Sequence, residues 1–308
     1  MIADAAVVVP THRRPELLAE ALDGIDALRP GPSEVVVVVD GPCPRTEAVL
    51  RGRDVTVLRT PGIGPAGARN AGWRATTAPV VAFLDDDCVP DPGWLGGLVA
   101  GLGDDSIGIV QGTTVPASPA DPDDRTIHVT GETGLYETCN IAYRREALVV
   151  VGGFDEHFAE RLSRDGRWFA EDTDLAWRVR RTGWATTFRT DARVRHHVFP
   201  GTLRSSIREE WRRSLFPALI RAIPELAERT PAPHRLRPHS LEAQAALAGT
   251  ALAALRRSPW PALAAAPYLR WALARHRRPG ALARQVALDA VGSVALLVGS
   301  ARHRRLLL

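Results

Sequence analysis

Residues 80–84, Val-Val-Ala-Phe-Leu, run without interruption into Asp85-Asp86-Asp87. Five consecutive apolar residues with no polar alternation require a strand covered on both faces. Three carboxylates at its end then concentrate negative charge at one edge of a sheet. Val-rich runs at 5–9 and 35–39 repeat the pattern, and a helix is predicted between them at 15–28. A third strand at 55–58 and a helix at 66–75 complete the alternation. Strand and helix in turn predict a doubly wound, mostly parallel α/β sheet flanked by helices. In such sheets ligands collect beyond the carboxyl ends of the strands. Here those ends carry Pro10-Thr11-His12-Arg13, Asp40-Gly41 and the aspartate triplet.

Further along, residues 103–138 are rich in Asp, Pro, Gly and Thr and read as loop, with a strand at 107–111. Helices are expected at 145–151 and at 171–182, the latter stopped by Gly183, and a strand at 193–199. Past Gly201 the composition shifts to Ala, Leu, Arg and Pro. The expected division is 1–203, with a donor half 1–112 and an acceptor half 113–203, followed by an amphipathic helical extension 204–308. Prolines at 217, 224, 231, 238, 259, 267 and 279 are expected to cut that extension into short to medium helices.

All 39 basic residues are Arg, and they crowd the second half of a chain with a formal charge of +4. Such charge suits anionic phosphates; nucleic acid is not expected, because no nucleic-acid motif accompanies it. Cys43, Cys88 and Cys139 form neither a paired metal motif nor an even disulfide framework, so a reducing, cytoplasmic compartment is expected. Residues 1–10 lack the basic start of a signal peptide, and no uninterrupted apolar run reaches the roughly 18 residues of a membrane span.

Adjacent carboxylates repel, and a divalent cation relieves the repulsion. In an extended segment Asp85 and Asp87 would point to one side and Asp86 to the other, which predicts an oxygen site for Mn²⁺ or Mg²⁺ on Asp85 and Asp87. Glu171-Asp172-Thr173-Asp174 opens a helix, where any acid gains roughly 0.3–1 kcal/mol from the helix dipole. Helical spacing separates these acids. Asp172 shares a stripe with Leu175, Ala176 and Val179, whereas Asp174 falls in register with Arg178. Asp172 is therefore the candidate general base. His196 and His197 end the last strand; either imidazole can complete a metal shell, and strand alternation does not choose between them. Gly62-Ile63-Gly64-Pro65-Ala66-Gly67 fits a dinucleotide fingerprint, but it follows the third strand and nothing downstream suits hydride transfer.

Taken together, these segments resemble the inverting glycosyltransferases of family 2, which have a GT-A fold. The resemblance lies in Val7-Val8-Val9-Pro10-Thr11-His12-Arg13-Arg14, in the strand 34–41, in Gly64-Pro65-Ala66-Gly67-Ala68-Arg69-Asn70-Ala71-Gly72 with Phe83-Leu84-Asp85-Asp86-Asp87, and in the acceptor-half blocks at 140–145, 151–156 and 171–178. It accounts for the glycine pattern without a dinucleotide. It implies nucleotide-sugar contacts at Pro10, Thr11, His12, Arg13, Asp40, Gly64, Arg69, Asn70, Asp85 and Asp86, with Asp40 holding the base. It places the acceptor side at Asn140, Trp168 and Glu171, and makes Asp172 the base. His12 stands where an aromatic such as Tyr is more usual and Val39 where a first acid is common, which leaves the nucleotide open.

The expected function is metal-dependent transfer of a sugar, with inversion, from a nucleotide-sugar to a sugar, lipid-linked or small-molecule acceptor. The product is expected to be an envelope polysaccharide, a glycolipid or another glycoside. A nucleotidyltransferase of similar fold would release pyrophosphate instead of nucleoside diphosphate, and a nucleotide-binding non-enzyme would release neither. In the extension, Trp260, Tyr268, Trp271 and clustered Arg among Ala and Leu suit a segment lying on an anionic membrane, at the inner face of the cell membrane. A packing appendage or a homodimer contact fits the same composition.

Overall fold

The computed structural model describes residues 2–162, 169–229, 239–276 and 278–307. The chain forms two units, Met1–Phe199 and Pro200–Leu308. In the first, β1 (Ile2–Thr11), α1 (Pro15–Asp26), β2 (Gly31–Asp40), α2 (Pro44–Leu50), β3 (Thr56–Thr60), α3 (Gly64–Arg74) and β4 (Val80–Leu84) follow in strict alternation. Then come β5 (Cys88–Pro90), α4 (Trp94–Gly101), β6 (Ile107–Pro116), β7 (Asn140–Arg144), α5 (Arg145–Val151), α6 (Phe158–Leu162), α7 (Glu171–Arg181) and β8 (Ala185–His196).

The strands form one sheet in the order β3-β2-β1-β4-β7-β6-β8-β5. β1, β2, β3 and β4 pair in parallel. β7 enters antiparallel between β4 and β6, and β5 antiparallel beside β8, so the sheet is mixed. The Val runs are buried on both faces, as their lack of alternation requires. Val37 and Val39 pack with Val7, Val9, Leu18 and Leu22 on one side, while Val36 and Val38 pack with Ala68 of α3 on the other. α3 lies unusually close to the strands: a Cβ on Gly72 would sit 2.3 Å from Val8 Cγ1, so only glycine fits. That approach sets the reach of Arg69 on the same helix.

Four strands differ from the sequence expectation. β7 and β5 lie in segments too short or too polar to read as apolar runs. β8 begins at Ala185 instead of 193, because its first half is mostly half-buried and shows no alternation. β6 extends to Pro116 along a parallel partnership with β8.

The second unit consists of α8 (Leu203–Trp211), α9 (Phe216–Ala222), α10 (Ser240–Arg256), α11 (Ala266–Arg275) and α12 (Pro279–His303), with short 3-10 turns between them. Its prolines start helices more often than they break them. Pro217, Pro267 and Pro279 occupy first-turn positions, where the missing N–H has no intrahelical partner to lose. α12 consequently runs for 25 residues with an 18-residue window of mean hydropathy 1.6, long and apolar enough by length and composition to cross a membrane. The expectation of short to medium helices is corrected there. The residues that interrupt its apolar run, Asp289, Gly292, Ser293, Gly299 and Ser300, are buried within the unit.

Candidate functional site

The carboxyl ends of β1, β2 and β4 and the start of α3 enclose a cleft of about 350 Å³, lined by Thr11, His12, Arg14, Asp40, Arg69 and all three aspartates, among others. A second cavity of about 510 Å³ lies beside α2, with Cys43, Glu47, Arg51 and Arg59 in its wall. Its one acid, Glu47, is already held by Arg59 through two hydrogen bonds of 2.8 and 2.7 Å, so the smaller cleft holds the chemistry.

The aspartates do not alternate as an extended strand would place them. The chain turns at 85–87, with the Cys88 N–H donating to the Asp85 carbonyl at 3.1 Å, and each carboxylate acquires its own partners. Asp85 accepts from Arg69 at 2.7 Å. Asp86 is buried; it accepts the Thr11 hydroxyl at 2.7 Å and Arg14 at 3.2 Å. Asp87 accepts from Arg14 at 2.7 Å. Desolvation pushes the Asp86 carboxyl up to about 6 despite Arg14 and Thr11, which pull it down. Arg14, the cation that holds Asp86 and Asp87 together, was not singled out from the sequence. Its only signal is its place directly after the β1 loop.

Strand pairing resolves the histidines. Cys88 of β5 pairs with His196 of β8, which brings His196 Nε2 to 3.5 Å from Asp87 Oδ1. One donor atom from each of Asp87, Cys88 and His196 lies within 4.8 Å of the others. His196 Nδ1 stands 2.7 Å from the His197 carbonyl oxygen; a proton there donates to that oxygen and leaves the Nε2 lone pair facing the carboxylate. Two facing lone-pair atoms are stabilised by a cation between them, so a carboxylate and an oriented imidazole fit a divalent ion. The His197 ring packs against Phe199 at 4.8 Å and contributes no atom to that group. Asp85 stands with Arg69 instead of with Asp87 and His196.

Hydrogen bonds within the scaffold engage three further expected residues. Asp40 does line the cleft, but its carboxylate accepts from the Thr60 hydroxyl and from the N–H groups of Gly62, Ile63 and Gly64 at 2.6–3.0 Å. It anchors the glycine loop, where Gly64 has a φ of +86°. Asn70 is buried; its amide donates to the Phe154 carbonyl and Glu156 and accepts from the Phe154 N–H and Trp73, which uses its full capacity. Asn140 is buried between strands, donating to the Thr113 and Ala192 carbonyls and accepting from Trp94 at 2.7 Å. Both amides stitch the scaffold. Trp168 lies outside the described residues.

At the first turn of the cleft, Pro10 and Thr11 end β1, and the exposed His12 holds the Asp40 carbonyl through Nδ1. Arg13 has a left-handed backbone, φ +56°. Arg69 is buried, with NH2 on Asp85 and NH1 3.4 Å from Glu171 of α7. Burial alone would lower its pKa, but Asp85 and Glu171 raise it on balance, so it stays a cation. Arg69 thus ties the β4 carboxylates to the mouth of α7.

There Asp172 is half-buried, while Leu175, Ala176 and Val179 on its stripe are fully buried. Asp174 accepts from Arg178 at 2.7 Å, as the four-residue spacing predicts. Desolvation, then Glu171 and Glu137, push the Asp172 carboxyl up to about 8, against the Thr173 N–H and Arg69, which lower it. Glu137 was not read from the sequence. It follows Tyr136, whose φ is +57°, and accepts from Gln111 at 2.8 Å. The segment before it is fastened to α7 by Thr173 donating to the Leu135 carbonyl at 2.7 Å and Trp177 to the Gly134 carbonyl at 3.0 Å.

Comparison with known proteins agrees with this architecture. The mannosyltransferase PcManGT from Pyrobaculum calidifontis, solved in complex with GDP-Man and Mn2+, superposes with a TM-score of 0.56 at 19% identity, covering 98% of this chain and 87% of that one. The fold is therefore GT-A. The pre-mycofactocin glycosyltransferase of Mycobacterium tuberculosis is 31% identical over 213 residues, 63% of this chain, and the match takes in 42% of its own length. This chain spans less than half of that relative. The glucosyl-dolichyl phosphate glucuronosyltransferase of Haloferax volcanii is 27% identical over 219 residues, 63% of this chain and 69% of that protein. Glycosyl transferase family 2 itself matches residues 6–155, from the first Val run through the aspartates to the loop held by Asn70. Over that stretch the chain is similar to glycosyl transferase family 2.

Proposed function

We propose that the chain transfers a sugar, with inversion, from a nucleotide-sugar donor to an acceptor hydroxyl. The observation that carries this reading is Arg69, which bridges Asp85 in the cleft to Glu171 beside a desolvated Asp172. One cleft thereby has a polyanion-binding end and a basic carboxylate at its rim. Thr11, Arg14 and the glycine loop anchored by Asp40 shape the donor end. Asp87 and His196 would hold Mn²⁺ or Mg²⁺, which when bound offsets the charge of the departing diphosphate. Asp172 takes the proton of the acceptor hydroxyl as that oxygen bonds to the anomeric carbon. The bond from that carbon to the diphosphate oxygen breaks, and the electron pair leaves with the nucleoside diphosphate. Desolvation keeps Asp172 basic enough for this role.

The acceptor is a sugar or a lipid-linked saccharide destined for an envelope polysaccharide, glycolipid or related glycoside. The enzyme works in the cytoplasm, peripheral to the inner face of the cell membrane. The name of the Haloferax volcanii relative, a glucosyl-dolichyl phosphate glucuronosyltransferase, supports a lipid-linked acceptor. A thermal-shift panel of UDP-, dTDP- and GDP-sugars with and without Mn²⁺ tests the donor, since a ligand that binds only the folded chain raises its melting temperature by mass action. Stabilisation by one donor, followed by release of nucleoside diphosphate on adding acceptor, is the expected result. Release of pyrophosphate, or no response to any donor, would defeat the reading.

A further inference from the structure

Residues 243–288 contain no Asp or Glu, yet include Arg256, Arg257, Arg270 and Arg275, all exposed. Among the described residues none of these four has an ion-pair partner. The same stretch exposes large apolar side chains: Leu255 by 82%, Trp260 by 75%, Leu263 by 63% and Leu273 by 57%. Trp and Leu interleaved with unpaired Arg is the composition of a surface that meets lipid headgroups.

The outward placement of these side chains is fixed from within. In the 3-10 turn Trp260–Ala265, positions three apart eclipse, so Trp260 and Leu263 share one side. A Cβ on Gly249 of α10 would lie 2.4 Å from the Pro261 carbonyl oxygen, so this turn is seated directly on α10. On α11, Tyr268 and Ala272 are buried, and Leu269 and Leu273, four residues apart, are left outside. Tyr268 donates its hydroxyl to the buried Asp289 of α12 at 2.8 Å, which holds α11 in that rotation.

We infer that the α10–α11 segment, led by Leu255, Trp260 and Leu263 and flanked by Arg256, Arg257 and Arg270, docks on an anionic phospholipid surface. The inference rests on the peripheral placement proposed above and is independent of the transfer chemistry. It also corrects which aromatics meet the lipid: Tyr268 is buried, and Trp271 stacks on His239 at 4.0 Å, so Trp260 is the aromatic that faces outward. α12 turns its polar residues into the unit. Asp289 at its middle is met by Tyr268, by Gln285 at 2.9 Å and by His239 at 3.4 Å, partners that insertion of α12 alone would strip away.

Flotation of the full chain with vesicles of phosphatidylcholine plus phosphatidylglycerol, or of phosphatidylcholine alone, tests this. The wild type should float with the anionic vesicles only and be released by high salt. Arg256→Gln/Arg257→Gln should weaken partitioning about 30-fold, and Leu255→Ser/Trp260→Ser/Leu263→Ser should abolish it. Both variants should keep the wild-type melting temperature, because the altered side chains are exposed. Failure to float, equal flotation with neutral vesicles, retention through alkaline carbonate, or a soluble dimer that the triple-serine variant dissociates would each overturn the inference. Failure to float while a nucleotide-sugar still stabilises the chain would sink lipid docking and leave the proposed reaction standing.

Discussion

Asp86 and Asp172 are both desolvated aspartates on either side of Arg69, yet their surroundings divide them. Asp86 has a cation and a hydroxyl directly on its oxygens, and burial moves it only to about 6. Asp172 accepts from the Thr173 N–H and faces two further acids, Glu171 and Glu137, and it moves to about 8. Each has two acids and one guanidinium nearby. The difference is that Arg14 and Thr11 sit directly on the Asp86 carboxylate, whereas Arg69 bonds to Asp85 and Glu171 and lowers Asp172 only weakly. A carboxylate compensated by Arg14 stays an anion suited to scaffolding a charged donor. One whose nearby cation bonds to other acids becomes a proton acceptor near neutrality.

The sharpest way to break this division is to neutralise each side in turn. Asp172→Asn keeps the shape and removes the base. Its transfer rate should fall by about 10²–10⁴, while the thermal shift produced by the donor remains. Initial rates at saturating donor measure the first and differential scanning fluorimetry the second; wild-type turnover in the variant would end the assignment. Arg69→Met tests the bridge between the two sides. It leaves the half-buried Asp85 and Glu171 without their cation, and losing the partner should lower stability by about 1–3 kcal/mol in chemical denaturation. A loss below about 1 kcal/mol would mean that the two carboxylates are solvated and do not depend on Arg69.

The histidines sharpen the donor side. His196→Ala should weaken Mn²⁺ binding by roughly 10- to 100-fold in a calorimetric titration, and His197→Ala should leave it within about twofold. Equal effects would mean that the pair acts through the strand end as a whole. This contrast was not legible in the sequence, and the reason is specific. Alternation along β8 places the two rings on opposite faces but does not say which face meets Asp87. The pairing of His196 with Cys88, more than a hundred residues earlier in the chain, decides it.

The same limit explains the other gaps. Val80–Leu84 was readable to the residue, because a strand buried on both faces has no alternation to confuse. Asp172 was readable too, because helical spacing set it with Leu175 and Val179. The motifs suggest ligand contacts for Asn70 and Asn140, whose amides bond within the scaffold. A polar residue in a motif looks the same whether its amide meets a substrate or is saturated by backbone carbonyls inside the scaffold. Glu137 gave no signal and Arg14 only its place after the β1 loop, since each matters through a partner distant in sequence.

The gentlest test of the comparison is pH, and its two signs are opposite. As a base, Asp172 must be unprotonated, so kcat/KM should rise with pH and level off above about 8; at pH 7 it should stand about tenfold below the plateau. For stability, the raised carboxyl means that the folded chain holds a proton which the unfolded chain has already released near pH 4. This group's contribution is therefore greatest below the ordinary carboxylate range and is lost as pH rises towards 8. Asp172→Asn removes that loss. At pH 8 the inactive variant should melt at a higher temperature than the wild type; the gap should shrink to roughly a third at pH 5 and close below about pH 4. A wild-type profile flat from pH 6 to 9, or a gap that does not change with pH, would place Asp172 in the same class as Asp86.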